Sequence, residues 1–358
     1  MANSENMPAL QTIKRALLPG GDSALARTIS RSNWRRRRLL ILCYHGIAMG
    51  EEHGSHSEMF LPVETFARRM EILAQSGATV LPLGEGLRLL QQGKLPPNSV
   101  AITFDDGWAD FRVQAFPVLQ KHGFPATVYL TTYYCQFSRP IFRIALAFMM
   151  WKLRSQVVEN VAFEWLPRQL NFRTDASRNE LVWKIDGYTK ERDLTGKQKD
   201  ELAAAFAAAI GFDYAAFCES RMFQLMTPAE VAELARAGID FQLHTHRHRT
   251  PLERDRFVKE IRENRALVEE MTGMHDRVHF CYPSGALRPD FLSWLREAGV
   301  QSATTCIKGL ATRSSDHLML PRLLDQYGLT DDEFASWISG LAAFIPKRKN
   351  VPLDVAPE

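Results

Sequence analysis

Two adjacent carboxylates, Asp105 and Asp106, follow the apolar run Val100–Phe104 directly and precede Gly107. A short apolar run that ends at a turn residue predicts a buried strand. The carboxylates would then lie at its carboxyl end, where α/β proteins place their active sites. Two adjacent negative charges repel one another, and this repulsion is costly unless the function requires both carboxylates. A metal ion would bind one carboxylate and leave the other as a base.

A second group of candidate ligands, His244, His246 and His248, follows another predicted strand. His244 and His248 are four positions apart, so one helical turn or a tight loop puts both on one side, whereas an extended segment puts all three on one face. Asp106 with two of these imidazoles makes a three-ligand set that leaves positions open for water and substrate. This pattern is typical of catalytic zinc and is also compatible with other first-row metals.

A third polar turn, Tyr282-Pro283-Ser284-Gly285, also follows a predicted strand. Proline fixes the backbone there, and glycine permits a close approach. Such a turn can direct backbone N–H groups at a developing oxyanion. By itself the pattern is explained equally well by an ordinary turn that ends a strand.

The positioning elements are predicted from an alternation of short apolar runs and amphipathic segments, which is typical of parallel βαβ units. We predict strands at 39–44, 80–83, 100–104, 126–132, 239–243, 278–282, 300–305 and 318–324. We predict helices at 63–76, 84–92, 109–122, 229–237, 252–272, 288–298 and 331–344. The alternation lapses between them, and we predict a helix-rich insertion at 133–225, with helices at 141–153 and 197–210.

The chain of 358 residues is 46% hydrophobic and 24% charged, which is ordinary for a globular α/β protein. We divide it into a basic arm (1–38), two barrel parts (39–132 and 226–345) around the insertion, and a flexible tail (346–358). The arm carries eight basic and two acidic residues, a net charge of +6, against +3 for the whole chain. We expect a solvated terminus, with peripheral contact to a membrane or a polyanion as the alternative, and no nucleic-acid partner.

The five cysteines form no CxxC pair, and their odd number and wide spacing favour reduced thiols over disulfides or a cysteine-based zinc site.

The apolar run Leu39–Cys43 is too short for a signal sequence or a membrane span. We therefore expect a cytoplasmic protein, with the inner face of the membrane as an alternative site. An uncleaved or non-standard export route stays open.

Three of these motifs resemble those of the polysaccharide deacetylase family, the carbohydrate esterases with a NodB homology domain. TFDDG at 103–107 matches the first motif of that family, HTHRH at 244–248 matches its H-[ST]-x-x-H motif, and YPSG at 282–285 is similar to its third. Tyr44-His45-Gly46, with Phe66, resembles the opening of a bacterial branch that includes exopolysaccharide deacetylases.

The resemblance covers about residues 39 to 132 and 226 to 330 and leaves the insertion outside. It implies a distorted (β/α) barrel of about seven parallel strands. It also implies metal-dependent removal of an N-acyl group, most readily N-acetyl, from an amino sugar of a polymeric or lipid-linked glycan. Hydrolysis of another C–N bond, in a formamide or a cyclic imide, and a degenerate sugar-binding domain are the alternatives.

The resemblance further implies roles for individual residues. Asp106, His244 and His248 would hold a divalent metal, with Zn²⁺ first and Co²⁺, Ni²⁺ or Mn²⁺ as alternatives. Asp105 would be the general base. The backbone N–H near Ser284, in the loop with Tyr282 and Gly285, would stabilise the oxyanion.

The sequence departs from the family pattern at two places. Many members have arginine, which orients the base, at the position of Cys281, so the partner of Asp105 is open. The late motif that supplies the general acid has no clean match. We favour His45, at the end of the first strand, over His317. Arg322 would either neutralise a carboxylate near the site or pair on the surface. The sequence does not predict the oligomeric state.

Overall fold

The structure is a computed structural model that describes residues 23–159 and 161–344. Residues 1–22 of the predicted arm and the predicted tail at 346–358 lie outside the described residues. The strands are β1 (Arg38–Tyr44), β2 (Gly46–Ala48), β3 (Phe60–Pro62), β4 (Thr79–Val80), β5 (Ser99–Phe104), β6 (Thr127–Leu130), β7 (Val157–Val158), β8 (Leu170–Asn171), β9 (Asp240–Leu243), β10 (His279–Cys281), β11 (Ser302–Lys308), β12 (Ala311–Thr312) and β13 (Leu320–Leu324).

Helices surround these strands and fill the predicted insertion. They are α1 (Ala24–Ser30), α2 (Asn33–Arg36), α3 (Glu52–Ser55), α4 (Val63–Gln75), α5 (Leu83–Gln92), α6 (Phe116–His122), α7 (Phe142–Lys152), α8 (Asp175–Glu191), α9 (Gly196–Ala209), α10 (Tyr214–Glu219), α11 (Pro228–Arg236), α12 (Arg254–Thr272), α13 (Pro289–Glu297) and α14 (Asp331–Ser339). No helix among these described residues is long and apolar enough to cross a membrane.

Seven of the strands close into a barrel in the order β1-β13-β11-β10-β9-β6-β5, and β5 pairs again with β1. Every one of these pairings is parallel. β4 adds to β5 in parallel, and β12 adds to β1 antiparallel, outside the closed ring. The predicted (β/α) barrel of about seven parallel strands is confirmed. Because all barrel strands are parallel, their carboxyl ends meet at one rim.

The apolar composition of the strands explains this architecture. All six residues of β5 are buried, as are Leu39 to Tyr44 of β1. Parallel strands lie between a barrel interior and a layer of helices, so both of their faces must be apolar. A single run of buried apolar residues in the sequence therefore marks a barrel strand.

Two predicted regions differ in detail from the structure. The helix predicted at 109–122 begins with a π-helical turn, Phe111–Ala115, and becomes regular only from Phe116. Pro117 lacks an N–H group, which removes one hydrogen bond of a continuous α-helix. The sequence does not predict helix α8, because its buried apolar residues are few and Gly187 lies in its second half.

The region predicted as an insertion has a hydrophobic core of its own. Side chains from α7, α8 and α9 form it, including Met149, Ile185 and Phe206, all buried. Helices are present in this region as predicted, and many of its apolar residues find partners within it.

Part of the basic arm is folded against the barrel. α1 packs on α14, α2 packs on α1 and β1, and Arg35 of α2 is fully buried. Its Nε donates to the carbonyl of Ile338 at 3.0 Å and its Nη2 to the carbonyl of Ser99 at 3.1 Å. The expectation of a solvated terminus therefore fails for residues 24–36, because Arg35 satisfies carbonyls at the amino end of the barrel.

Candidate active site

The chain turns sharply after β5 and so presents two carboxylates at the barrel rim. Asp106 and Gly107 have φ angles of +71° and +89°. The Asp105 N–H donates to Tyr44 O at 2.9 Å, and the Asp106 carbonyl accepts from Thr131 N at 3.1 Å. A Cβ atom at position 107 would lie 2.3 Å from Leu130 Cδ1, so only glycine fits the turn. Both aspartates are buried.

Asp106 meets the two predicted histidine ligands. Its Oδ1 lies 3.1 Å from His244 Nε2 and 3.1 Å from His248 Nε2. One donor atom from each of the three lies within 4.8 Å of the others. Two imidazole nitrogens and one carboxylate oxygen are a donor set that fits a divalent metal with open coordination positions.

Outer hydrogen bonds fix the orientation of these donors. Trp108 Nε1 donates to Asp106 Oδ2 at 3.0 Å. The other oxygen, Oδ1, therefore faces the two imidazoles. His244 Nδ1 lies 2.9 Å from the carbonyl of Cys281, and a proton on Nδ1 would leave the Nε2 lone pair for a bound metal. Burial raises the pKa of Asp106, but the hydrogen bonds of His244 and His248 hold that pKa well below its usual value.

The histidine segment forms a tight loop and not an extended strand. Thr245 and His248 have positive φ angles of +60° and +55°. His246 consequently points away from Asp106, with its Nδ1 at 2.9 Å from Thr132 Oγ1. Of the alternatives left by the sequence, the structure brings two histidines to the carboxylate.

Two residues of α12, one turn apart, hold this loop. The Asn264 side chain accepts from His244 N at 2.9 Å and donates to Leu130 O at 2.8 Å. Glu260 accepts from the backbone N of Arg247 at 2.7 Å, and its carbonyl accepts from His246 N. Asn264 is fully buried, and Glu260 nearly so. The sequence analysis missed both residues, because polar residues in an amphipathic helix usually face solvent.

Asp105 has a different partner, Arg322 of β13. Arg322 Nη1 and Nη2 donate to the two carboxylate oxygens of Asp105 at 2.7 Å each. Arg322 is fully buried, and its Nε donates to Thr305 O at 3.1 Å. The arginine expected at position 281 is thus supplied by another barrel strand, and the Arg322 alternative of pairing on the surface is wrong.

The surroundings keep Asp105 ionised. Burial raises its pKa, but the Arg322 charge and its two hydrogen bonds outweigh burial and hold the pKa well below the usual value. Two thiols line the same carboxylate, with Cys281 Sγ at 3.3 Å and Cys43 Sγ at 3.6 Å from Oδ2. Burial raises the pKa of both thiols well above the usual value, so they are neutral beside the anion.

His45 is the predicted acid that lies in this site. Its Nε2 is 3.8 Å from Asp105 Oδ2, and its side chain is 22% exposed, so a ligand can reach it. His317 precedes β13 and is exposed at the opposite end of the barrel strands. The geometry is therefore compatible with His45, not with His317, near the carboxylates.

The three residues of the predicted oxyanion turn differ in whether they have a hydrogen-bond donor available to a ligand. Ser284 is exposed with a φ of +54°, and among the described residues its backbone N–H has no acceptor. The N–H of Gly285 donates to Tyr282 O within the turn and is not available. Tyr282 is buried, with its hydroxyl on Leu318 O at 2.9 Å, so its side chain is not part of the site.

An aromatic wall connects the insertion with Asp106. The Trp108 ring lies 5.4 Å from Phe60, which lies 5.2 Å from Phe223, which in turn lies 5.1 Å from Phe148 of α7. The returning end of the insertion also pairs with the loop after β5, since Ala109 N donates to Gln224 O at 2.8 Å. The insertion thus supports the loop that carries Asp106.

A family model described as polysaccharide deacetylase matches residues 92–157 and 194–303. The chain belongs to the polysaccharide deacetylase family. The match includes Asp105, Asp106, His244 and His248, but neither His45 nor Arg322. It also includes parts of the region that the sequence analysis placed outside the resemblance, and it omits only 158–193 of that region. Helix α8 lies in the omitted stretch.

Individual relatives are similar over part of the chain. The Bacillus subtilis protein YxkH, described as a polysaccharide deacetylase, is 36% identical over 94 residues, 26% of this chain and 32% of its own length. The poly-β-1,6-N-acetyl-D-glucosamine N-deacetylase of Staphylococcus epidermidis is 38% identical over 69 residues, 19% of this chain and 24% of its own. The chain thus matches about a third or less of these relatives' length.

Solved deacetylase structures share the fold of this polysaccharide deacetylase family member. The Streptococcus pyogenes deacetylase PplD, solved with acetate, superposes with a TM-score of 0.54 and 17% identity. The superposition covers 83% of this chain and 96% of PplD. At this identity the likeness shows the common barrel.

Proposed function

We propose that this protein hydrolyses the N-acetyl group of an amino sugar in a polysaccharide or a glycan precursor. One observation carries the proposal: a buried carboxylate, Asp105, is held ionised by Arg322 directly beside the donor set of Asp106, His244 and His248. A domain that only binds sugar has no use for a buried base of this kind. The intact pair therefore favours an enzyme over the degenerate sugar-binding alternative.

The donor set supports a resident divalent metal, and two imidazoles with one carboxylate favour Zn²⁺ over harder cations. When bound, such a metal supplies Lewis-acid stabilisation of negative charge and lowers the pKa of water to about 7. Trp108 and the carbonyl of Cys281 orient Asp106 and His244 for this purpose. Co²⁺, Ni²⁺ and Mn²⁺ remain alternatives for the same donors.

The chain's own groups account for the proton transfers. Asp105 takes the proton that water loses as its oxygen attacks the amide carbonyl carbon. The free N–H of Ser284 donates to the oxyanion that forms. His45, protonated, gives its proton to the nitrogen as the C–N bond breaks. The products are acetate and a free amine, and the proton returns from Asp105 to His45, whose Nε2 lies 3.8 Å away.

A relative supports a substrate class to test first. The Staphylococcus epidermidis protein is named for removing acetyl groups from poly-β-1,6-N-acetyl-D-glucosamine. We propose the same class, N-acetylglucosamine polymers or lipid-linked precursors, as the first to test. The five free cysteines support a reducing compartment, and we propose the cytoplasm.

The test is an assay of acetate and free amine from N-acetylglucosamine oligomers, with zinc or cobalt added to the purified protein. We expect acetate and amine in equal amounts, and no release by Asp106→Ala. Formamide and cyclic-imide substrates are assayed in parallel. Turnover of those compounds alone would refute the sugar substrate, and metal-loaded protein inactive on every amide would refute hydrolysis.

A further inference from the structure

We propose that the amino end of the barrel docks on an anionic lipid bilayer. The opposite rim, which carries Asp105 and Asp106, then faces away from the bilayer. The docking surface, here called the arm face, is formed by α1, α2 and the last described turn of the chain. Its exposed members are Leu25, Arg27, Arg31, Arg36, Arg37 and Phe344. This inference is independent of the proposed reaction.

The charge of the arm face is one-sided. Residues 23–38 contain six arginines and no acidic residue. Arg35 and Arg38 are bound to backbone carbonyls, whereas Arg27, Arg31, Arg36 and Arg37 are exposed and have no carboxylate partner in the described ranges. Several uncompensated positive charges at one place match a surface of anionic head groups.

Apolar side chains stand among these charges. Leu25 is 53% exposed and Phe344 58% exposed, although both are large and apolar. The Phe344 ring lies 4.5 Å from the ring of Trp34, which α2 holds in place. Basic residues around exposed leucine and aromatic side chains are the pattern of an interfacial membrane contact. A polyanion would use the charges but would leave the apolar side chains in water.

The fold fixes how a docked molecule is oriented. The arm leads into β1 at Arg38, and Arg35 binds the carbonyl of Ser99, the first residue of β5. His45 and Asp105 follow the other ends of these two strands. Seven residues of strand separate the two faces by about 20 Å. Docking through the arm face therefore leaves the rim open to a glycan on the aqueous side.

The experiment is cosedimentation of the full chain with phosphatidylcholine vesicles that contain or lack about 30% phosphatidylglycerol. We expect binding only with the anionic lipid, weakened when salt is raised from about 0.1 to about 0.5 M. R36E/R37E should lower the partition coefficient on the order of tenfold or more. The matched control R256E/R262E reverses two exposed arginines of α12 and should bind like the wild type.

A second pair of variants tests the apolar part. L25S/F344S should weaken binding even at low salt, whereas V113S, which changes another exposed apolar residue, should not. Hydrogen exchange of the wild type gives an answer that does not depend on any variant folding. Vesicles should slow exchange in residues 24–38 and leave residues 244–250 unchanged.

Three outcomes would overturn the proposal. They are equal binding to neutral vesicles, protection of residues 244–250 in place of the arm face, and binding to heparin without binding to anionic vesicles. The last result would mean that the surface takes a soluble polyanion. None of these measurements depends on turnover, so the proposal and the proposed reaction fail separately.

Discussion

Asp105 and Asp106 follow one another in the sequence, but their side chains meet different partners. Asp106 shares one oxygen between two imidazoles, and Asp105 shares both oxygens with a guanidinium. The turn with positive φ at Asp106 points the two carboxylates in different directions. One carboxylate is thereby suited to bind a metal, and its neighbour to accept a proton.

Position 281 illustrates what the sequence could and could not predict about single residues. The sequence indicated that Cys281 leaves the base without its usual arginine. It could not decide where a replacement would come from, because Arg322 is distant in the chain and reaches Asp105 only after the barrel closes. An arginine within the apolar strand LPRLL was the available signal, since a buried cation needs a buried anion.

We predict that Arg322→Gln shifts the pH dependence of the proposed activity to higher pH. The Arg322 charge opposes burial and lowers the pKa of Asp105, so without it burial raises that pKa. A base with a raised pKa is protonated over more of the acidic range, and the acidic limb of kcat/KM therefore moves upward. A pH series of kcat/KM measures the shift. An unchanged acidic limb would show that Asp105 does not set it.

Arg322→Gln also leaves a buried carboxylate without its partner, at a cost of about 3–5 kcal/mol. A melting curve shows whether the variant folds. Arg322→Lys keeps the charge but loses one of the two hydrogen bonds. It should fold better than Arg322→Gln, and its acidic limb should shift less. If both variants shift equally, the charge is not the cause.

At the scale of elements, α12 supports the loop His244–His248, here called the ligand loop because it carries the two predicted histidine ligands. Asn264 binds the backbone of His244, directly after β9, and that of Leu130 at the end of β6, so it fixes the position of His244 relative to β6. The sequence predicted α12 correctly, and the ligand role of His244 and His248 stays a prediction. It could not predict the connection, because an asparagine among charged residues reads as part of a solvated face.

We expect Asn264→Ala to weaken metal binding by about 10-fold to 100-fold, because it releases the backbone of a ligand. The matched control is Gln242→Ala. Gln242 is also a buried amide, which accepts from the backbone of Val278 and His279, but does not contact a ligand. Both variants should lose comparable stability, by about 1–3 kcal/mol for each buried group left unpaired. Competition with a chromogenic chelator measures the affinity.

Equal metal affinity in the two amide variants would contradict the supporting role of Asn264. Loss of affinity in both would attribute the effect to general destabilisation. Only a selective loss in Asn264→Ala agrees with a helix that positions the ligand loop.

At the scale of the molecule, two hydrophobic cores meet at the aromatic wall. Phe148 belongs to the barrel core, and Phe206 to the core within the insertion. The alternation of apolar runs predicted the barrel, because parallel strands are buried on both faces. The way the insertion joins it was not predictable, since contacts such as those of Phe148 with Phe217 and Phe223 depend on packing between distant segments.

Phe148→Ala and Phe206→Ala test the two hydrophobic cores one at a time. Both side chains are buried, and each substitution should lower the free energy of unfolding by about 3–5 kcal/mol. We expect Phe148→Ala alone to weaken metal binding, because its ring contacts lead to Trp108. Denaturant unfolding and the chelator competition measure the two quantities. An equal effect of both variants on metal affinity would show that the wall does not transmit support to Asp106.

The central claim is that one of two adjacent carboxylates binds the metal and the other serves as the base. The most direct measurement is the metal content per chain by elemental analysis, combined with acetate release, for the wild type, Asp105→Asn and Asp106→Ala. We predict one metal ion per chain in the wild type and in Asp105→Asn, little in Asp106→Ala, and acetate from the wild type alone. Loss of metal in Asp105→Asn, or turnover by either variant, would contradict the assignment.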